Sequence, residues 1–439
     1  MKLTKCRLGD YIRDVASGPF GSNLKVENFV PAGFPIIDGA NLTKLRVTDN
    51  ITKFVTEKKA RSLSRSIARR HDVIVTISGT LGQVSFIPDN SKYEEYLCSQ
   101  RQFRVTFDES KICVEYLVNL LRTPYGQRKI LAFANYVGVP ALSQPIPNFK
   151  NIELLLPDLQ NQLLIAGILG SLDEKIEVNR RKIAELEALA KTIFEYWFVQ
   201  FDFPDANGRP YKTSGGKMVW NEQLKYEIPV GWTVSPFASI IDNIKNGEWG
   251  KESRENKSDI QIQCLRGTDF IAAKSSPELS PPIRFIEEKQ KEKILREFDL
   301  IIEVSGGSPT QSTGRIMYVN NAFLDRMLFP VCCSNFCKAI SVTDQNLFYW
   351  AYFVWDRHYE QGTFFRFEGK TSGIKNLQFD SVCGSIINPI PPAVVSSQFT
   401  DIIAPIYTQI QNLIKESKLY FTVRDTILPL LMNGQVEVK

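Results

Sequence analysis

The chain has 439 residues, 43% of them hydrophobic, and a formal net charge of +5. That length suggests two to four structural units with sizeable cores. No apolar run reaches about 18 residues, which argues against a membrane-spanning helix. The opening Met1 to Arg7 lacks the apolar stretch of a signal peptide.

Taken in order, the chain begins with Leu8-Gly9-Asp10-Tyr11-Ile12 and a Gly18-x-Phe20-Gly21 segment whose glycines read as turn positions. Val73 to Ile77 is a short β-branched run ending in Ser-Gly, which predicts a strand and then a turn; Val84 to Ile87 predicts the next strand. Glu115 to Arg122 has the spacing of a helix with one core face. Pro157 and a candidate N-cap, Asp158, then introduce the most regular stretch of the chain, Leu159 to Trp197.

Within that stretch Leu169, Ile176, Ile183, Ala190 and Trp197 recur every seven residues. Ile165, Leu172, Asn179, Leu186 and Ile193 form a second series offset by three. A sustained a/d pattern keeps one seam of a helix against a partner helix. The predicted helix is about 55–60 Å long at about 1.5 Å per residue. The chain supplies a partner: Phe399, Ile403, Ile406, Ile410, Leu413, Ser417, Tyr420, Arg424, Ile427 and Leu431 alternate in steps of four and three. Ser417 and Arg424 make this seam less pure, and Pro405 and Pro429 are expected to disturb the helix. Asn179 on a seam penalises slipped registers at some cost in stability, or else lies exposed at the seam's edge.

The second half repeats the first. Ile12 and Val15 match Ile241 and Ile244, and Gly18-x-Phe20-Gly21 matches Gly247-x-Trp249-Gly250. Phe54-x-x-Glu57-Lys58 resembles Phe285-x-x-Glu288-Lys289. Asp72 and its strand resemble Asp299 followed by Leu300 to Val304, and Ile316 to Val319 looks like the strand after that. Cys98-Ser99-Gln100 echoes Cys333-Ser334-Asn335, and Gly138-Val-x-x-Leu142 echoes Gly373-Ile-x-x-Leu377. Leu347 to Arg357 reads as a core helix. The shared order implies one unit written twice, a globular α+β domain followed by a long helix. The boundaries are 1–156, 157–198, 199–390 (with a loop-rich junction at Phe203 to Lys217) and 391–439.

Charge is uneven. Residues 1–150 hold 22 Lys+Arg and 13 Asp+Glu, a net of +9, whereas residues 199–390 hold 22 and 23, a net of −1. The basic run Lys58, Lys59, Arg61, Arg65, Arg69 and Arg70 suits a phosphate backbone, or else is a solvated helix face. Cys332, Cys333 and Cys337 are the only cysteine cluster, and His71 and His358 are the only histidines. Buried reduced thiols in a cytoplasmic protein are expected there, with no metal. No phosphate-binding glycine loop, dinucleotide fingerprint or Asn-Pro-Pro-aromatic motif is present, so a catalytic role is unsupported.

Three stretches together resemble the specificity subunit of type I restriction–modification systems. They are Leu8 to Ile12 with Gly18 to Leu24, Leu156-Pro157 with Gln160-x-Gln162 and the heptads, and Trp197-Phe198-x-x-Phe201-x-Phe203-Pro204 with Ile228-Pro229-Val230-Gly231-Trp232. The resemblance implies two pseudo-symmetric target recognition domains joined and spaced by two antiparallel coiled-coil helices, each domain reading half of a bipartite site in double-stranded DNA. It also implies docking to two methyltransferase subunits and to restriction/translocase subunits. No cofactor is expected in this chain; S-adenosylmethionine, ATP and Mg belong to the partners. A coiled-coil scaffold that never touches DNA is the alternative.

Candidate DNA contacts are polar residues on loops that the repeat places alike. In the first half these are Ser22, Asn23, Lys25, Thr80, Gln100, Arg101 and Ser143, with Lys58, Arg61 and Arg65 of the basic run. In the second half they are Lys251, Arg254, Ser308, Gln311, Asn335, Lys370, Ser372 and Lys375.

Overall fold

In the computed structural model, residues 2–308, 310–371 and 374–436 are described, and the chain divides into two compact units. One comprises residues up to 173 together with those from 422 onward; the other comprises residues 174–421.

In the first unit the buried run Val73–Thr76 is an inner strand of a four-stranded sheet. The strand order is Ile12–Ser17, Gln102–Phe107, Val73–Thr76 and Val84–Phe86, with every neighbour antiparallel. Helix Val114–Arg122 packs Leu117, Leu120 and Leu121 into the core against this sheet. Five short strands form a second sheet, in which Phe34–Ile37 runs parallel to Glu95–Cys98.

The second unit repeats this frame, register included. Its sheet orders Ile241–Asn246, Cys337–Val342, Leu300–Glu303 and Ile316–Tyr318. Val105 lies between Val15 and Val73, and Ile340 lies between Ile244 and Leu300. An irregularity that skips Arg13 on the first edge strand recurs as one that skips Asp242 on the second. The parallel pair recurs as Ile260–Leu265 beside Val331–Cys333. Even the turn entering the inner strand is duplicated, since His71 and Phe298 share left-handed backbone, with φ of 69° and 68°. Asp72 and Asp299 then cap their own turns by accepting from the Arg69 and Arg296 amides at 2.9 and 2.7 Å.

Gly18 and Gly247 are not turn glycines in the sense of a positive φ. A Cβ on Gly18 would stand 1.9 Å from the Ser99 carbonyl oxygen, and one on Gly247 1.9 Å from that of Ser334. What both positions require is close backbone approach, which only a missing side chain permits.

Helices Leu159–Phe194 and Ala393–Met432 carry the two heptad series. Asp158 caps the first by accepting from the Asn161 amide at 2.9 Å, and a wider π-helical turn, Glu195–Val199, ends it. In the first unit Ile165 and Leu169 join a core that includes Leu431 and Met432, with Ile427 packed against it. Arg424 meets Asp173 there at 2.8 Å, so the seam's basic residue has its counter-charge across the pair.

In the second unit the helices are antiparallel, with Asn179 beside Ser417 and Trp197 beside Phe399, whose rings are 5.7 Å apart. Ile183, Ala190 and Phe194 share a core with Phe399, Ile403 and Ile410. Leu186, Ile193, Ile406 and Leu413 are half-buried against that core; Leu172 and Ile176 are half-buried as well. Tyr407 and Ile414 are buried in their place. The second helix serves two neighbours at once. Tyr407 also packs on Tyr318 of the sheet, 4.5 Å between ring centroids, and a helix shared this way follows 3.6 residues per turn more closely than 3.5.

Asn179 is buried. Its amide donates to Glu416 Oε2 at 2.8 Å and to Ser417 Oγ at 3.3 Å. Pro405 and Pro429, expected to break the second helix, lie inside it without interrupting it. Both are exposed, so the carbonyls each leaves unpaired one turn back can be hydrated. The junction Phe198, Phe201, Phe203 closes over Trp232, with ring centroids 5.4–5.9 Å away.

Candidate nucleic-acid interface

At one end of the first sheet the connecting loops meet. The Gly18 amide donates to the Gln102 carbonyl at 2.7 Å, the Ile77 amide to that of Arg101 at 2.7 Å, and the Gly79 amide to that of Pro140 at 2.9 Å. Gly21 faces the Gln100 side chain, and the Arg101 guanidinium lies beside Gly79. Loops 18–28, 78–82, 99–102 and 136–140 therefore share one rim. It carries exposed Ser22, Asn23, Lys25, Thr80, Gln100 and Arg101. A hairpin of Ala134–Asn135 and Ala141–Leu142 is tied to this rim through Ser78 and Ala141.

Ser143 stands just past the hairpin, where its carbonyl accepts from Asn148 at 2.6 Å. The basic run is not one helix face: it spans helix Glu57–Ser62, a tight turn and strand Ile67–Arg69. Glu95 takes up two of its cations, Arg61 at 2.5 Å and Arg69 at 2.9 Å. Burial alone would raise the Glu95 pKa, but the hydrogen bonds from Arg61 and Arg69 outweigh it and hold the carboxyl below its ordinary value. Lys58 and Arg65 are exposed, and among the described residues neither is in an ion pair.

The second half builds the same rim from different chemistry. Glu248 N donates to the Cys333 carbonyl at 2.7 Å, and Val304 N and Ser305 N both donate to that of Phe336. Ser305 pairs with Asn376 of the hairpin Glu368–Thr371 with Ile374–Leu377. Asn335 and Arg254 are exposed, with the Arg254 guanidinium over the Phe285 ring at 5.6 Å. Ser308 and Gln311 bridge each other across a turn, and Gln311 Nε2 donates to Tyr359 Oη at 3.2 Å.

The predicted lysines of this half are engaged. Lys251 pairs with Glu255, which raises its pKa, and approaches Glu287 at 3.7 Å. Lys375, its side chain only 16% exposed, meets Glu368 at 2.8 Å. Ser372 and the Lys370 side chain lie outside the described residues.

A surface groove of about 360 Å³ runs beside Ser305, Lys338, Asn376 and Gln378. By register Lys338 corresponds to Phe103 of the first half, which packs on Phe149 at 5.2 Å. Neither this lysine nor the apolar hairpin tip Tyr136-Val137-Gly138-Val139 is among the residues the sequence points to: the lysine sits near the start of strand Cys337–Val342 rather than on a loop, and the tip is not polar.

The described residues contain no group of three or more His, Cys, Asp or Glu placed to hold a metal, and all eight cysteines are free thiols. Burial pushes the Cys332 and Cys337 thiols up to about 12. No helix of the described residues is long and apolar enough to cross a membrane.

A doubled α+β frame, each copy bearing a polar loop rim and a segment of a long helix, defines the class: a duplicated recognition module with two unlike rims. Residues 31–188 match the family model for the type I restriction modification DNA specificity domain. The specificity subunit of the type I restriction enzyme MjaIX of Methanocaldococcus jannaschii is 22% identical over 98% of this chain and 92% of its own length. That of HindI from Haemophilus influenzae is 40% identical over 26% of this chain and 27% of its own. The crystal structure of the type I restriction-modification S subunit from M. genitalium shares the fold with a TM-score of 0.62 at 16% identity, covering 98% of this chain and 96% of that one. The chain is thus similar to the type I restriction modification DNA specificity domain over residues 31–188, and to a type I restriction enzyme specificity subunit over nearly its whole length.

Proposed function

We propose that this protein selects the DNA site for a type I restriction–modification complex, each loop rim reading one half of a bipartite sequence. The observation that carries this is the duplicated frame with unlike rims: equal strand register, but different side chains on the same loops. Equal frames suit equal docking geometry, and unlike rims suit two different half-sites.

The chain itself performs no catalysis in this reading. Two methyltransferase subunits and the restriction/translocase subunits bring S-adenosylmethionine, ATP and Mg, and the complex works in the cytoplasm. The length of the helix pair sets the spacer between half-sites.

The test is co-expression with a methyltransferase subunit from the same source and a map of adenine methylation across the host genome. The expected result is a split motif whose halves lie about one helical turn apart. Exchange of residues 199–390 should alter one half only, and inserting a few residues in both helices should lengthen the spacer. A stable complex that neither methylates nor binds DNA would instead favour the scaffold reading.

A further inference from the structure

Among the described residues, seven large apolar side chains are at least 65% exposed, and five of them stand on the rim loops of the first half. They are Phe20 (81%), Val26 (82%), Tyr136 (65%), Val137 (86%) and Val139 (66%); the other two, Leu328 and Val394, stand on separate elements. Apolar groups held so far into water mark a contact surface. These five share the rim with polar side chains: Asn23 stands on the same loop as Phe20 and Val26, and Gln100 and Arg101 stand on the neighbouring loop. Their half of the chain carries the net charge of +9, which calls for an anionic partner rather than an apolar protein face. A duplex offers such a mixture. Its major groove presents hydrogen-bonding base edges and one apolar group, the C5 methyl of thymine.

We infer that the rim of the first half reads thymine methyl groups through these apolar side chains, with the valines making the contacts and Phe20 and Tyr136 enclosing them. This rests on the DNA-recognition reading above. On the second rim Phe336 and Ile374 are only 48% and 47% exposed, and a polar groove opens beside Lys338 where the first half has the buried Phe103. Thymine reading by apolar contact is therefore a property of one half-site.

The experiment uses the full chain in complex with its methyltransferase subunit. Each thymine of the mapped site is replaced in turn by uracil, which removes only the methyl group. At the contacted positions of the first half-site the Kd should rise about 3- to 5-fold per thymine, the yield of burying one methyl-sized group. Val137→Ser, Val139→Ser and Val26→Ser should each weaken binding to thymine DNA, and one of them should make the complex indifferent to uracil at its own position. All three sites are exposed, so an unchanged melting profile checks the fold.

A first half-site without thymine, or one in which every uracil is neutral, overturns the inference alone. So does a valine variant that keeps its DNA affinity but releases the methyltransferase subunit. Loss of salt-dependent binding to every duplex by the unaltered complex overturns the DNA-recognition reading as well.

Discussion

His71 and Phe298 sit at the same turn of the two halves, with the same left-handed backbone, yet only one of them titrates. His71 lies between Asp89 and Glu109, 2.7 Å from each, whereas Phe298 packs on Phe348 at 5.4 Å. Other shared positions differ in chemistry too: Arg315 pairs with Glu303 where the register of the first half places Gln83 and Thr76, hydrogen-bonded at 3.1 Å, while Asp72 and Asp299 are buried beside a cation in both halves, Arg104 and Lys245. The frame thus tolerates opposite solutions at its surface, because what defines it is backbone register and a few close approaches. The side chains around them are free to vary.

The firmest way to break the comparison is to attack what the halves share. Leu169→Asp in the first unit and Ile183→Asp in the second each place a charge at a fully buried helix position, and each should cost about 3–5 kcal/mol by chemical denaturation. Ile176→Asp, at a half-buried position, should cost much less; equal losses would refute the packing described. Gly18→Ala and Gly247→Ala should destabilise by about 3 kcal/mol each and by similar amounts, since each new Cβ meets a backbone carbonyl. A neutral result at one glycine and not the other would show that the frames are not equivalent.

Two further tests sharpen the difference. Arg101→Ala should weaken DNA binding about tenfold and lower the salt slope by about one, with little change in melting temperature. Lys375→Ala should do the reverse, costing about 1–2 kcal/mol of stability by leaving Glu368 unpaired while barely moving the salt slope.

The smallest effect concerns pH. Burial lowers the His71 pKa, but Glu109 and Asp89 together outweigh it and leave it above its ordinary value. Its stabilising contribution is therefore complete below about pH 6.5 and fades as pH rises through the folded-state value. His71→Asn, which suits the left-handed backbone, should remove that slope from the melting profile of the first unit; an unchanged slope would assign it elsewhere.

Much of the frame was legible because it rests on patterns that local chemistry enforces. The Ser-Gly ends of the inner strands, the Cys-Ser echo and Gly18 with Gly247 are consecutive parts of one arrangement. Each glycine lies against the carbonyl of the echoed serine, so the weak matches had a common cause. The heptads located both long helices but overstated their strictness, since Tyr407 answers to the sheet as well as to the partner helix.

The rims were less legible. A lysine in a sequence gives no sign that Glu368 or Glu255 will take it up. A valine in a loop gives no sign whether it turns inward, and Val137 is 86% exposed.

All six tryptophans, Trp197, Trp220, Trp232, Trp249, Trp350 and Trp355, fall within residues 174–421. The first compact unit has none. Tryptophan emission from the intact chain is therefore an optical report on one unit alone, in which Trp232, Trp350 and Trp355 are buried. Circular dichroism, by contrast, sees both units. Where the two signals part during denaturation, the interval measures how far one unit can unfold without the other.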